Sequence, residues 1–194
     1  MMLPIQRLRL DCDLIHMAEL TEALVCEALS VLEGAPPSAG GGSRERLSRL
    51  QEGVSRRALR ALTQQGPKAG RRTGAVFEAG VLLLALADCA SELTRLRVCP
   101  SAVAAVHDLT GAGRLALRSV LGLDSRGAAG TALDALDRAV ARARACQTAE
   151  PSLALAAMAV RLESMGDLLR ALHRLERARR LPLRREELPL RGAA

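Results

Sequence analysis

A chain of 194 residues is long enough to close a hydrophobic core without disulfide or metal staples. It has no Trp, no Tyr and one Phe, Phe77, so the core is left to Leu, Ala and Val, a composition that favours helices and argues against strands, whose pleated surface takes β-branched and aromatic side chains. Lys plus Arg number 28 against 21 Asp plus Glu, a net charge of +7, with Lys68 the sole lysine; this fits the Arg bias of a GC-rich genome as well as a surface for nucleic acid or an acidic partner, and the lack of Trp and Tyr argues against the stacking platforms of a single-strand binder.

In chain order, a first helix is expected over about residues 5–33, with Leu10, Leu14, Met17, Leu20, Leu24 and Ala28 on one stripe at three- and four-residue steps, and Gly34 ending it. The stretch 35–42, rich in Pro and Gly, reads as a loop. Ser43 is a candidate cap for a second helix carrying Leu47, Leu50, Val54, Ala58, Leu59 and Leu62. Gly66 and Pro67 break it, and 70–74 read as a basic turn or frayed start before a third helix that runs to about Val98, ahead of Pro100. Ser101 caps a fourth helix ending near Leu121. Ser125 or Gly127 opens a fifth with Leu133, Leu136, Val140 and Ala143 inward. Pro151 and Ser152 open a sixth that reaches toward Arg180, ahead of Pro182.

Six helices with mostly short connections imply an all-α fold of long antiparallel helices packed as a bundle. Arg7, Arg9, Asp11 and Asp13 interrupt the apolar N-terminal stretch, which reads as neither signal peptide nor anchor, and the most apolar run, 80–87, is too short to span a bilayer; no transmembrane segment is expected, and the cytoplasm is the expected compartment. Cys12, Cys26, Cys89, Cys99 and Cys146 are scattered and form no CxxC, which suits buried free thiols in a reducing compartment.

The halves resemble each other. Glu19-Leu20-Thr21-Glu22-Ala23 followed by Leu29-Ser30-Val31-Leu32 matches Asp108-Leu109-Thr110-Gly111-Ala112 followed by Arg118-Ser119-Val120-Leu121 at the same spacing. Leu47, Leu50 and Val54 match Leu133, Leu136 and Val140, and Ala90-Ser91-Glu92-Leu93 is set against Ala159-Val160-Arg161-Leu162. The pattern predicts two tandem three-helix bundles, 1–98 and 99–180, with a loose basic tail at 181–194.

Written this way, the chain resembles the PhoU family of phosphate-uptake regulators over about residues 5–180. The residues carrying the likeness are Pro151-Ser152-Leu153 and then Arg161-Leu162-Glu163-Ser164-Met165-Gly166-Asp167, similar to the family's Leu-Glu-Arg-Ile-Gly-Asp helix. The resemblance implies a pair of three-helix bundles and a metal-binding role for Glu163 and Asp167, whose i, i+4 spacing points two carboxylates the same way for a divalent or ferric ion. Two carboxylates are a poor cage alone, and the same residues read more simply as a solvated patch paired with Arg161 and Arg170. In the first half the register above puts Thr94 and Val98 at the acidic positions, with Arg97 beside them, so one motif is missing. The implied function is a regulator without chemistry of its own that docks on a phosphate transporter component or a sensor kinase; a homodimer is compatible with it.

A rival reading comes from residues 49–60, where Gly53 and Ser55 resemble the turn and cap of a helix-turn-helix and Arg56, Arg57 and Arg60 would face DNA. An ordinary basic helix face that tolerates one glycine explains them better. A metal-dependent helical enzyme is a third reading. Asp13-x-x-His16 occurs once where a di-metal bundle needs such a motif twice; His107 and Asp108 point to different faces; His173 lies among arginines; and Gly40-Gly41-Gly42 lacks the Lys-Ser/Thr of a phosphate loop.

Overall fold

The computed structural model describes residues 4–36, 42–64, 67–96, 103–121, 128–149, 152–179, 181 and 183. Among them are six helices and no strand: α1 Pro4–Leu32, α2 Ser43–Gln64, α3 Pro67–Leu93, α4 Val103–Leu121, α5 Ala129–Ala149 and α6 Leu153–Arg179. The all-α expectation holds for these residues.

The helix ends follow from local chemistry. Gly34 takes a φ of 98°, and the amides of Gly34 and Ala35 return to the carbonyls of Val31 and Ser30 at 3.1 and 3.0 Å, the double bond pattern that closes a helix on a left-handed residue. At α6 the Ser152 hydroxyl accepts the Leu155 amide at 3.3 Å, as its sequence position predicts. At α2 the cap shifts by one residue: the Gly42 carbonyl accepts the Arg46 amide at 3.0 Å, and Ser43 is the first helical residue.

Helix α3 departs most from expectation. Residues 70–74, read as a basic turn, lie inside the helix, which starts at Pro67, where a missing amide costs nothing. Its other end falls at Leu93 and not Val98, with Thr94 and Arg95 in a turn. With its first turns included, Gly70–Leu93 becomes long and apolar enough to cross a membrane by length and composition, although 56% of its apolar window is buried inside the protein.

Helices α1, α2 and α3 pack on one another, and so do α4, α5 and α6; α1 also packs on α4, and α3 on α6. Contacts fix the directions. Asp11 meets Arg72 and Thr21 bonds to the Leu83 carbonyl, so α1 and α3 run parallel. Arg44 meets Asp88 while Gly80 abuts Gln51, so α2 and α3 run antiparallel. Leu14, Met17, Leu29, Leu83, Leu86, Leu109, Leu117, Leu136, Met158 and Leu162 belong to one continuous core drawn from five of the six helices, with Leu47 and Val54 adding α2. Gly113 of α4 lies at its middle: a Cβ there would touch Met165, Leu162 and Leu29 at 3.3 to 3.6 Å.

Burial favours a different pairing of α3 with α6 from the one set out above. Setting Pro67 on Leu153 pairs Val76 with Leu162, Ala79 with Met165, Gly80 with Gly166, Leu83 with Leu169 and Leu86 with Leu172, all buried. The same displacement puts Ser43 on Ala129 and keeps Leu47, Leu50 and Val54 on Leu133, Leu136 and Val140. The expected match of Ala90 with Ala159 would instead leave most of α3 without a counterpart. Small-residue and leucine recurrences alone cannot choose between these registers; the shared glycine can. Gly80 lets Gln51 of α2 approach, and Gly166 lets Leu136 of α5 approach, at points one residue apart in this pairing.

Candidate functional site

Glu163 and Asp167 lie one turn apart on α6, partly exposed, as the i, i+4 spacing dictates. Arginines engage both. Arg144 of α5 pairs with Glu163. Arg170 of α6 reaches Asp167 at 3.2 Å and also pairs with Asp137 of α5, whose hydrogen bond is the main reason its pKa is raised. Arg161, expected beside the acids, turns instead to Glu92 of α3 at 2.8 Å. Two acids flanked by two arginines thus tie α6 to α5 and α3. Among the described residues no three His, Cys, Asp or Glu side chains come together as cation ligands, and a positive guanidinium already sits at each acid, so these residues do not fit a cation cage by themselves.

In the first half, the pairing that burial favours moves the motif positions. Thr94 lies past the end of α3, and Val98, like Arg97, is outside the described residues. In that pairing Phe77 and Val81 stand opposite Glu163 and Asp167, in Val76-Phe77-Glu78-Ala79-Gly80-Val81 against Leu162-Glu163-Ser164-Met165-Gly166-Asp167. The glycine is kept and the two acids are replaced by apolar groups. Phe77 and Val81 are 39% and 44% exposed and border an open cleft of about 510 Å³ lined also by Gly70, Arg71, Gly74, Glu78 and Leu175. Sequence reasoning missed this surface; sliding α3 along α6 by the displacement already found for α2 and α5 would have exposed it.

The helix-turn-helix geometry is absent. Helix α2 is continuous from Ser43 to Gln64, so Gly53 makes no turn. Arg57 pairs with Asp13 of α1, Arg56 lies 3.6 Å from Glu52 on its own helix, and Arg60 is exposed. Asp13 is therefore engaged by an arginine of α2, whatever His16 does. Asp108 pairs with Arg142 of α5 at 2.7 Å, whereas the adjacent His107 approaches Glu33 at 3.5 Å, so His107 and Asp108 do point apart. His173 lies 3.9 Å from Glu176.

The thiols are less buried than expected. Cys12 and Cys146 are exposed, Cys26 and Cys89 half-buried with burial as the main cause raising their pKa values, and Cys99 lies outside the described residues. Cys12 lies two residues from Leu10 and from Leu14, off the apolar stripe of α1, which accounts for its exposure.

One polar cluster joins the halves. Glu33 receives two hydrogen bonds from Arg114 of α4, each 2.7 Å, and one from the buried Thr110 hydroxyl, while Arg114 also reaches Ser30 at 3.0 Å. The Arg114 hydrogen bonds hold the Glu33 carboxyl below its ordinary pKa, more than its partial burial raises it. No protein-family model, curated protein or solved structure matches this chain significantly.

Proposed function

We propose that the chain is a regulatory adaptor without catalytic activity, built by duplication from two three-helix bundles, 1–98 and 99–180, and that it modulates phosphate transport or its signalling by docking on a transporter component or a sensor kinase. The repeated helix pairing carries this reading: each half joins its first, second and third helices in the same three combinations, and first meets first and third meets third across the middle. Buried Thr21 and Thr110 fall on each other in the repeat, as do Gly80 and Gly166. The PhoU resemblance supplies the partner class. The charged face of α6, with Glu163 and Asp167 held by Arg144 and Arg170, supplies paired charges that a partner's charges can exchange with, a device that sets specificity and association rate more than affinity.

The test is direct binding of the purified full chain to the ATPase subunit of a phosphate transporter and to the phosphate-responsive sensor kinase of the same organism. One of them should form a complex that weakens at high salt and is lost in Glu163→Arg/Asp167→Arg. Binding to neither overturns the proposal. Salt-sensitive binding to duplex DNA that falls in Arg56→Ala/Arg60→Ala would put the nucleic-acid reading in its place.

A further inference from the structure

We propose that the outward face of α3 is a homodimer interface, on which a second copy of this chain lays its own α3 antiparallel. This inference does not depend on the phosphate reading.

Gly70, Gly74, Phe77 and Val81 recur at steps of four, three and four residues, the spacing that keeps side chains on one helix face. On this helix Gly74, Phe77 and Val81 look outward, away from the core residues Val76, Ala79, Leu83 and Leu86, while Gly70 at the end of the stripe is bordered by Leu62 of α2, 3.4 Å from where a Cβ would stand. Phe77 and Val81 are large apolar groups that the fold leaves uncovered, beside a cleft of about 510 Å³. Gly74 is not required by the chain's own packing. A Cβ there would meet nothing within 4 Å, and glycine inside a helix costs ~1 kcal/mol relative to alanine. The face thus carries two projections and, one turn away, a recess, which is the shape of a self-complementary surface.

Charge selects the occupant. Arg71 and Glu78 are exposed, flank the stripe on the same side, and form no ion pair among the described residues. In a twofold antiparallel crossing, same-side flanks face each other. With Phe77 of each copy over Gly74 of the other, Val81 falls over Gly70, and Arg71 of one copy comes within a turn of Glu78 of the other, twice. A foreign helix would have to match this pattern by coincidence; a second copy matches it by symmetry. Asp88, next on the stripe, is tied to Arg44 of α2 and closes the apolar face at that end.

The experiment is sedimentation equilibrium on the full chain from micromolar to near-millimolar loading. A reversible monomer–dimer equilibrium is expected. Phe77→Glu and Gly74→Leu should each leave a monomer with unchanged helical circular dichroism, since both positions face outward. Arg71→Glu and Glu78→Arg should each weaken the dimer by about tenfold, and together restore it. A chain that stays monomeric throughout overturns the proposal, as does a dimer indifferent to Phe77→Glu, or one that the double charge reversal fails to restore. A dimer that forms only after removal of residues 184–194 also overturns it, because the cleft would then be occupied by the chain's own tail.

Discussion

Glu33 illustrates what a single side chain does in this molecule. It sits just past the end of α1, and its carboxylate accepts both Arg114 hydrogen bonds and the Thr110 hydroxyl, fastening the first half to α4. The Arg114 hydrogen bonds lower its pKa in the folded protein, so the folded state favours the ionised form more than the unfolded chain does. Its stabilisation is therefore fully present above the ordinary carboxylate range and is lost as pH falls through the depressed folded value. Glu33→Gln should lower stability at neutral pH and leave a shallower decline on acidification. Urea midpoints between pH 7 and pH 3 check this, and parallel curves for the two proteins would mean that Glu33 is not linked to folding. Other polar groups at this scale are structural. Asp11, 5% exposed, takes Arg72 at 3.0 and 3.1 Å. Buried Gln51 donates to Ser55 at 3.4 Å while its Oε1 finds no hydrogen-bond partner in the structure, the consequence of a long amide wedged against Gly80.

Among the elements, α2 is the one whose continuity decides between functions. Gly53 lies at its centre, and the nearest atoms to an added Cβ are the guanidinium nitrogens and carbon of Arg57 at 3.1 to 3.6 Å, the far end of a flexible side chain that needs to give by only a few tenths of an ångström while keeping its pair with Asp13. Gly53→Ala should therefore stabilise the protein by about 0.5–1 kcal/mol through helix propensity alone, as measured by denaturant unfolding. A loss of stability instead would mean that Gly53 needs freedom a continuous helix does not require, and would revive the turn. Element by element, the ends of α1 and α6 were legible because Gly34 and Ser152 carry local chemistry that caps a helix whatever surrounds it. The start of α3 was not. Gly70 and Gly74 lower helix propensity, but the apolar turns that follow are buried against α1, α2 and α6, and that packing outweighs the local preference. The acid pair was legible as a spacing, since i and i+4 share a helix face. Its arginine partners were only half legible: Arg170 is on the same helix, whereas Arg144 and the diversion of Arg161 to Glu92 depend on how α5 and α3 lie against α6. The same dependence hid the exposure of Phe77 and Val81, which follows from how α3 lies against its neighbours.

For the whole molecule, the question is whether the proposed halves unfold as one unit or as two. A three-helix bundle of this length could close a small core of its own, yet the apolar cluster here does not divide at the junction. Leu29 of α1, Gly113 of α4 and Leu162 and Met165 of α6 meet within van der Waals distance, so neither half has a finished surface on the side that faces the other. Two ion-pair systems span the same boundary, Glu33 with Arg114 and Glu92 with Arg161. Separating the halves would expose leucines and leave Glu33 without its donors, and a small domain has only a small margin of stability to spare. Unfolding should therefore be a single cooperative transition. Pulsed hydrogen exchange across a urea series, read by mass spectrometry on peptides from α1–α3 and from α4–α6, should give the same midpoint for both sets. Gly113→Val, which crowds Met165, Leu162 and Leu29, should shift both midpoints down together by about 1–3 kcal/mol. Midpoints that differ between the sets, or a shift confined to the second, would show that the two proposed bundles are joined in sequence but independent in stability.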